Sequence, residues 1–126
     1  MSTSTIRHLS DAQLEIMQII WSCTPPVNRA TIEQSLKESH PMAMTTILTL
    51  LTRLVEKGAL TMEKIGKANY YTPTYTREEY LASQSRTFFD QLCGGNMKAF
   101  AMALCDSGIS KEDLDELRKM LDEGSL

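Results

Sequence analysis

At Gly58 the spacing of apolar residues changes from helical to alternating, and that switch limits the possible folds more than any other feature. Before it, in MAMTTILTLLTRLVEKG, Ile47, Leu50, Leu51 and Leu54 fall at i, i+3, i+4 and i+7. This is the buried stripe of a helix spanning residues 43–57. After it, LTMEKI alternates, Gly66 supplies a turn, and ANYYTPTY offers strand formers at Tyr70, Tyr71, Thr72 and Thr74. Leu60, Met62 and Ile65 are expected on one face of the first strand, and Thr61, Glu63 and Lys64 on the other. Pro73 has no backbone N–H to donate, so it belongs at a strand edge or end.

Upstream, Ser10 and Gln13 have capping-box spacing, and Leu14, Met17, Ile20 and Trp21 predict an amphipathic helix over residues 11–22. Pro25 and Pro26 close it. Asn28 caps a second, short helix running to about Glu38, with Ile32 and Leu36 as its apolar face; His40 and Pro41 mark the next break. Three helices followed by a hairpin with basic residues at its turn describe a winged helix-turn-helix over residues 1–75. The rest is helical again. Thr76 and Glu79 make another capping box ahead of Tyr80, Leu81, Phe88, Phe89 and Leu92, in a helix that ends at Gly94 and Gly95. The short segment MKAFAMALC follows, and Ser110 with Asp113 caps a last helix striped by Leu114, Leu117, Met120 and Leu121. The fold class is therefore mainly α (α+β), a winged helix-turn-helix joined to a helical region over residues 76–126.

A chain of 126 residues suits one compact domain, or a small domain with an appendage. No apolar run approaches the roughly 20 residues that cross a bilayer, and no signal-type block follows MSTSTIRHLS, so a cytoplasmic protein without a membrane partner is expected. Cys23, Cys93 and Cys105 are odd in number and lack C-x-x-C spacing, which suggests small apolar roles, buried or half-buried, over disulfides. His8 and His40 have no second ligand at i+3 or i+4, so no metal site and no cofactor is expected. An enzyme would need converging nucleophile, base and orienting groups, or a Gly-rich phosphate loop, and the sequence offers neither. The net charge of −3 hides an asymmetry: residues 1–75 carry seven basic and six acidic side chains, and residues 76–126 six and ten. Whole-chain charge is therefore a poor guide to partners.

The face of the third helix opposite its leucine stripe carries Met44, Thr45, Leu48, Thr49, Thr52 and Glu56, with Thr46 and Arg53 at its flank. A threonine hydroxyl donates and accepts, and its methyl fits against the C5-methyl of thymine. Thr45, Thr46, Leu48 and Thr49 are thus candidates for reading base edges in the major groove of double-stranded DNA. The bland alternative is that the hydroxyls bond back to the helix backbone. Arg29, Arg53, Lys64 and Lys67 are candidate phosphate contacts, which position the protein without reading sequence. Phe88, Phe89, Leu92, Met97, Phe100, Leu104, Leu114, Leu117 and Leu121 exceed what one short helical arm can cover by itself. A second copy of the chain is the economical cover, since two-fold homodimers bury self-complementary patches. The rival reading is a winged helix used for protein contacts without duplex binding.

The stretches LSDAQLEIMQIIW, TTILTLLTRLVEKGAL, IGKANYYTP and FFDQLCGGNMKAF resemble the penicillinase repressors (BlaI/MecI), a group that also includes the copper-responsive CopY repressors. The resemblance implies a winged helix, a C-terminal dimerisation region, and repression by a dimer on a palindromic promoter operator. It places base reading on Thr45, Thr46, Leu48 and Thr49, with Leu48 standing where penicillinase repressors have an arginine. It also implies a sensor-linked protease as a partner and a β-lactam or other stress signal as inducer. The Asn-Phe bond cut in those repressors corresponds here to Ala103-Leu104. The C-x-C motif of the copper repressors has no counterpart in the C-terminal DLDELRKMLDEGSL.

Overall fold

The computed structural model describes residues 6–124. By packing, the chain divides into two compact units, Met1–Gln84 and Ser85–Leu126. In the first, helix α1 (Asp11–Trp21) is followed by a two-residue strand β1 (Val27–Asn28), helix α2 (Arg29–Ser39) and helix α3 (Met44–Glu56). Strands β2 (Leu60–Ile65) and β3 (Ala68–Pro73) form the hairpin, and helix α4 begins at Arg77. The sheet is antiparallel in the order β1-β3-β2, so β3 is central.

Local chemistry sets the element ends. Ser10 accepts from the Gln13 N–H, while the Gln13 carboxamide oxygen accepts from the Ser10 N–H, a complete capping box. Asn28 accepts from the Thr31 N–H and starts α2. At the end of α3, Gly58 has φ +82°, a left-handed conformation that Cβ-bearing residues resist. Gly66, at φ +66°, makes the same allowance in the β2–β3 turn.

The core joins all three helices to the base of the sheet. Ile16, Met17 and Ile20 of α1 meet Ile32 and Leu36 of α2 and Ile47, Leu51 and Leu54 of α3, closed by Val27, Leu60 and Tyr71. Leu50, expected in the same stripe, is half-buried. Each such side chain contributes about 1.5–3 kcal/mol of transfer free energy when buried. Tyr80, from the first turn of α4, is buried as well, and its hydroxyl accepts from the Leu9 N–H at 3.0 Å. Trp21 donates from Nε1 to the Tyr75 carbonyl at 3.0 Å, and the Tyr75 and Tyr80 rings stack with centroids 6.0 Å apart. Burial, and secondarily the neighbouring Tyr80, pushes the Tyr75 pKa from 10.0 up to about 12.

One expectation for the hairpin is corrected, the faces assigned to Lys64 and Ile65 in β2. Leu60 is buried, but Met62 and Ile65 are 51% and 46% exposed, because β2 runs outward from the core after its first residue. Strict alternation, moreover, places Ile65 with Thr61 and Glu63, and Lys64 with Leu60. Pro73 occupies the last position of β3, where no ladder donor is missed.

In the second unit, α4 (Arg77–Thr87) continues through a π-helical turn, Phe88–Leu92, and is followed by α5 (Met97–Asp106) and α6 (Lys111–Asp122). The Phe100 ring lies 5.6 Å from Phe89, edge-on, and 5.9 Å from Phe88. No described residue of Ser85–Leu126 is buried; Phe89, Phe100, Leu104 and Leu114 are half-buried, and Leu92 is 78% exposed. Cys23 and Cys93 are half-buried, but Cys105 is exposed in the last turn of α5, outside the expected role.

Candidate nucleic-acid interface

The candidate residues sit on α3, the N-terminus of α2 and the hairpin. The α3 stripe turns Ile47, Leu51 and Leu54 inward, which leaves Met44, Thr45, Thr46, Leu48, Thr49, Thr52, Arg53 and Glu56 exposed, as the leucine spacing predicts. Ala43 sits at the N-cap of α3 and offers no side-chain cap, so the first-turn N–H groups stay open beside Thr45 and Thr46.

The three threonines among the four base-reading candidates differ in their hydroxyls. Thr49 donates from Oγ1 to the Thr45 carbonyl at 2.9 Å, one turn back. Its donor is engaged within the helix, and its methyl and lone pairs remain available. Leu48 is 37% exposed and lies between two concave surfaces. On one side a groove runs past Thr49, Thr52, Arg53 and Glu56. On the other, a cleft of about 230 Å³ is lined by Leu48, Asn28, Arg29, Lys67, Asn69 and Tyr71.

That cleft depends on β1, which is too short to announce itself in the sequence. Val27 pairs with Tyr71 and Asn28 with Tyr70, so the strand preceding α2 is stitched to the central strand of the wing. The first residue of α2, Arg29, is thereby held next to the wing. The Nε of Arg29 is buried and has no hydrogen-bond acceptor among the described residues. Lys64 lies opposite Asn69 in the β2–β3 register, and Lys67 follows the Gly66 turn. Among the described residues the carboxylates in contact with a basic side chain are Glu15, hydrogen-bonded to His40, and Asp90, paired with Arg86, so Arg29, Arg53, Lys64 and Lys67 have no carboxylate partner there.

The wing therefore brings Arg29, Leu48 and Lys67 together in one cleft, while Arg53 lies along α3 and Lys64 on β2. Asn69, which the sequence reading did not select, lines the same cleft. Only the strand register reveals it, because nothing in its neighbours distinguishes it from an ordinary wing residue. Among the described residues no three His, Cys, Asp or Glu side chains converge as a metal site, and no helix is long and apolar enough to cross a membrane.

A family model described as penicillinase repressor matches residues 9–123. The penicillinase repressor of Bacillus licheniformis is 30% identical over 119 residues, spanning 94% of this chain and 92% of that protein. Among solved structures, the solution structure of the DNA-binding domain of the repressor BlaI is similar with a TM-score of 0.53 and 36% identity, covering 60% of this chain and 90% of that one. The monomeric form of Bacillus licheniformis BlaI in complex with the blaP half-operator is similar with a TM-score of 0.51, at the same identity and coverage.

Proposed function

The chain belongs to the penicillinase repressor family, a family of transcriptional repressors rather than enzymes, and from that premise we propose that it represses by binding a palindromic promoter operator as a homodimer. The observation that carries this reading is the exposed α3 face bearing Thr45, Thr46, Leu48 and Thr49, flanked by the wing and by the N-terminus of α2. Base edges are read by those four side chains, and Arg29, Arg53, Lys64 and Lys67 hold phosphates. The half-operator complex of the similar BlaI monomer supports one protomer per half-site.

In this reading residues 1–75 bind DNA and residues 76–126 make the dimer. Dimerisation is supported by the second unit's apolar surface, where Phe88, Leu92, Met97, Leu117 and Leu121 are exposed and Phe89, Phe100, Leu104 and Leu114 half-buried. A second copy of the same surface is the natural cover. The repressor works in the cytoplasm, where its promoter is, with a β-lactam or other stress signal as inducer; Ala103-Leu104 replaces the Asn-Phe bond, so release by a sensor-linked protease at that bond is not part of this reading. Ala103 and Leu104 are half-buried within α5, so cleavage between them requires that helix to open first.

The test is duplex binding by the full chain over a salt series, using its own upstream region. Eight cationic contacts per dimer give a logarithmic salt slope of about −7, and two protomers are expected per palindrome. Salt-insensitive binding, or none to any duplex, rejects the reading.

A further inference from the structure

Arg29 and Lys67 have so far been treated as separate phosphate contacts, one on α2 and one on the wing. The geometry points to something more specific: we propose that the cleft between them is a single phosphate seat, in which Arg29, Lys67 and Asn69 hold one backbone phosphate of the duplex. The inference rests on the DNA-binding reading above and adds to it the composition and occupant of the seat.

The first observation is the Nε–H of Arg29, which is buried and lacks an acceptor among the described residues. A desolvated donor on a charged guanidinium is costly to leave unpaired. Arg29 forms no ion pair with any described carboxylate, and among the described residues lining the cleft there is no acidic side chain. Two cations line one concavity that supplies no anion, and one of them carries the orphan Nε–H. The second observation is how the cleft is held. The Asn28–Tyr70 pairing fixes the start of α2 against β3, so the Arg29 backbone and the wing root move as one piece. Asn28 turns its carboxamide oxygen to Thr31, both to the backbone N–H and to the hydroxyl, and so provides no acceptor to Arg29. Leu48 forms an apolar wall on one side of the seat.

A tetrahedral phosphate matches this arrangement. One oxygen accepts from the guanidinium of Arg29, and the others take the Lys67 ammonium and the Asn69 carboxamide N–H. Because Leu48 on α3 forms one wall, a phosphate held here fixes the depth at which α3 enters the major groove. The wing and the reading helix are thereby placed by one shared anchor.

The experiment replaces single phosphates of the operator duplex with neutral methylphosphonates, one position at a time, and measures binding of the full chain and of Arg29→Gln, Lys67→Gln and Asn69→Ala. Thermal midpoints are recorded alongside. Lys67 and Asn69 are exposed, so their variants keep the assay interpretable even where Arg29→Gln loses fold stability. One position per half-site is expected to weaken the wild type on the order of tenfold and to abolish any further loss from Lys67→Gln, Asn69→Ala and Arg29→Gln alike. If Arg29 and Lys67 are each silenced by a different phosphate, the shared seat is overturned and the DNA-binding reading stands. If the unmodified duplex is not bound at all, the DNA-binding reading fails and takes the seat with it.

Discussion

Lys57 Nζ donates to the Gln13 carboxamide oxygen at 2.6 Å and to the His8 carbonyl at 2.9 Å, so the lysine that ends α3 is engaged inside the fold rather than offered to a partner. Gln13 is itself buried, and its oxygen also receives the Ser10 N–H. One ammonium thus ties the end of α3 to the start of α1. Lys57→Met is expected to cost about 1.5–3 kcal/mol, the usual worth of hydrogen bonds to a charged group. Urea unfolding followed by the single tryptophan, Trp21, reads that loss. The salt slope of duplex binding should stay unchanged in Lys57→Met and become shallower in Lys67→Met. A shallower slope in both would make Lys57 a phosphate contact.

Tyr75 predicts a stability loss at alkaline pH. Its folded-state pKa is raised from 10.0 to about 12 by burial and by Tyr80, so the unfolded chain releases this proton first as pH rises. The stabilisation is complete below the unfolded value and disappears as pH climbs through the window between the two. Tyr75→Phe cannot ionise and should remove that share of the decline. Urea midpoints measured across the window check it. An identical decline in both proteins would mean that other groups are responsible.

Tyr80 fixes where a DNA-binding fragment can be cut. It is buried, accepts from the Leu9 N–H, and lies 6.0 Å from both the Trp21 and Tyr75 rings. A fragment ending at Tyr75 lacks it; one ending at Gln84 retains it, together with the contact of Gln84 to His8. The shorter fragment is expected to be less stable by about 3–5 kcal/mol, the cost of removing a core aromatic side chain. Comparing the two by denaturation checks this, and equal stabilities would show that Tyr80 adds nothing.

The parts legible in the sequence are those with a local cause. The buried stripe of Ile47, Leu51 and Leu54, the Ser10–Gln13 and Thr76–Glu79 capping boxes and the Gly58 stop all follow from spacing or from one side chain reaching a backbone group nearby. What escaped is non-local. Strand β1 has two residues, too few to show alternation, and exists because β3 pairs with it. Arg29 and Lys67 are 38 positions apart in the chain, and only that pairing places them in one cleft. The exposure of Met62 and Ile65 likewise reflects the direction in which the hairpin leaves the core, which composition cannot encode.

Thr49 and Thr46 separate two ways in which a threonine can read DNA. Because Thr49 already donates to the Thr45 carbonyl, what it has left to offer a groove in the proposed reading is a methyl and an acceptor. Thr49→Val keeps a methyl and should hold operator preference better than Thr49→Ala, which should lose about fourfold, matching the roughly 0.8 kcal/mol of one buried methylene. Thr46 has no hydrogen bond of its hydroxyl to another described residue, so Thr46→Val and Thr46→Ala should lose discrimination alike. Competition between the operator and a random duplex measures both pairs. If Thr49→Val loses as much as Thr49→Ala, the hydroxyl of Thr49 leaves the helix to reach the base.

The second unit predicts how binding depends on assembly. Its exposed Leu92 and Leu121, on the π-helical turn and on α6, belong to a unit in which no described side chain is buried. Such a unit gains most of its hydrophobic stabilisation from whatever covers it. Leu92→Glu and Leu121→Glu each place a carboxylate on that surface, where a dimer would have to bury it beside its symmetry mate. Both variants are expected to sediment as monomers at concentrations where the unmodified chain is dimeric. Their affinity for a full palindrome should fall by about a hundredfold, since the second half-site is then no longer engaged at a high effective concentration. Affinity for an isolated half-site should be unchanged, because neither residue belongs to the first unit. If both variants remain dimeric, the interface lies elsewhere on the chain, and the exposed leucines need another partner.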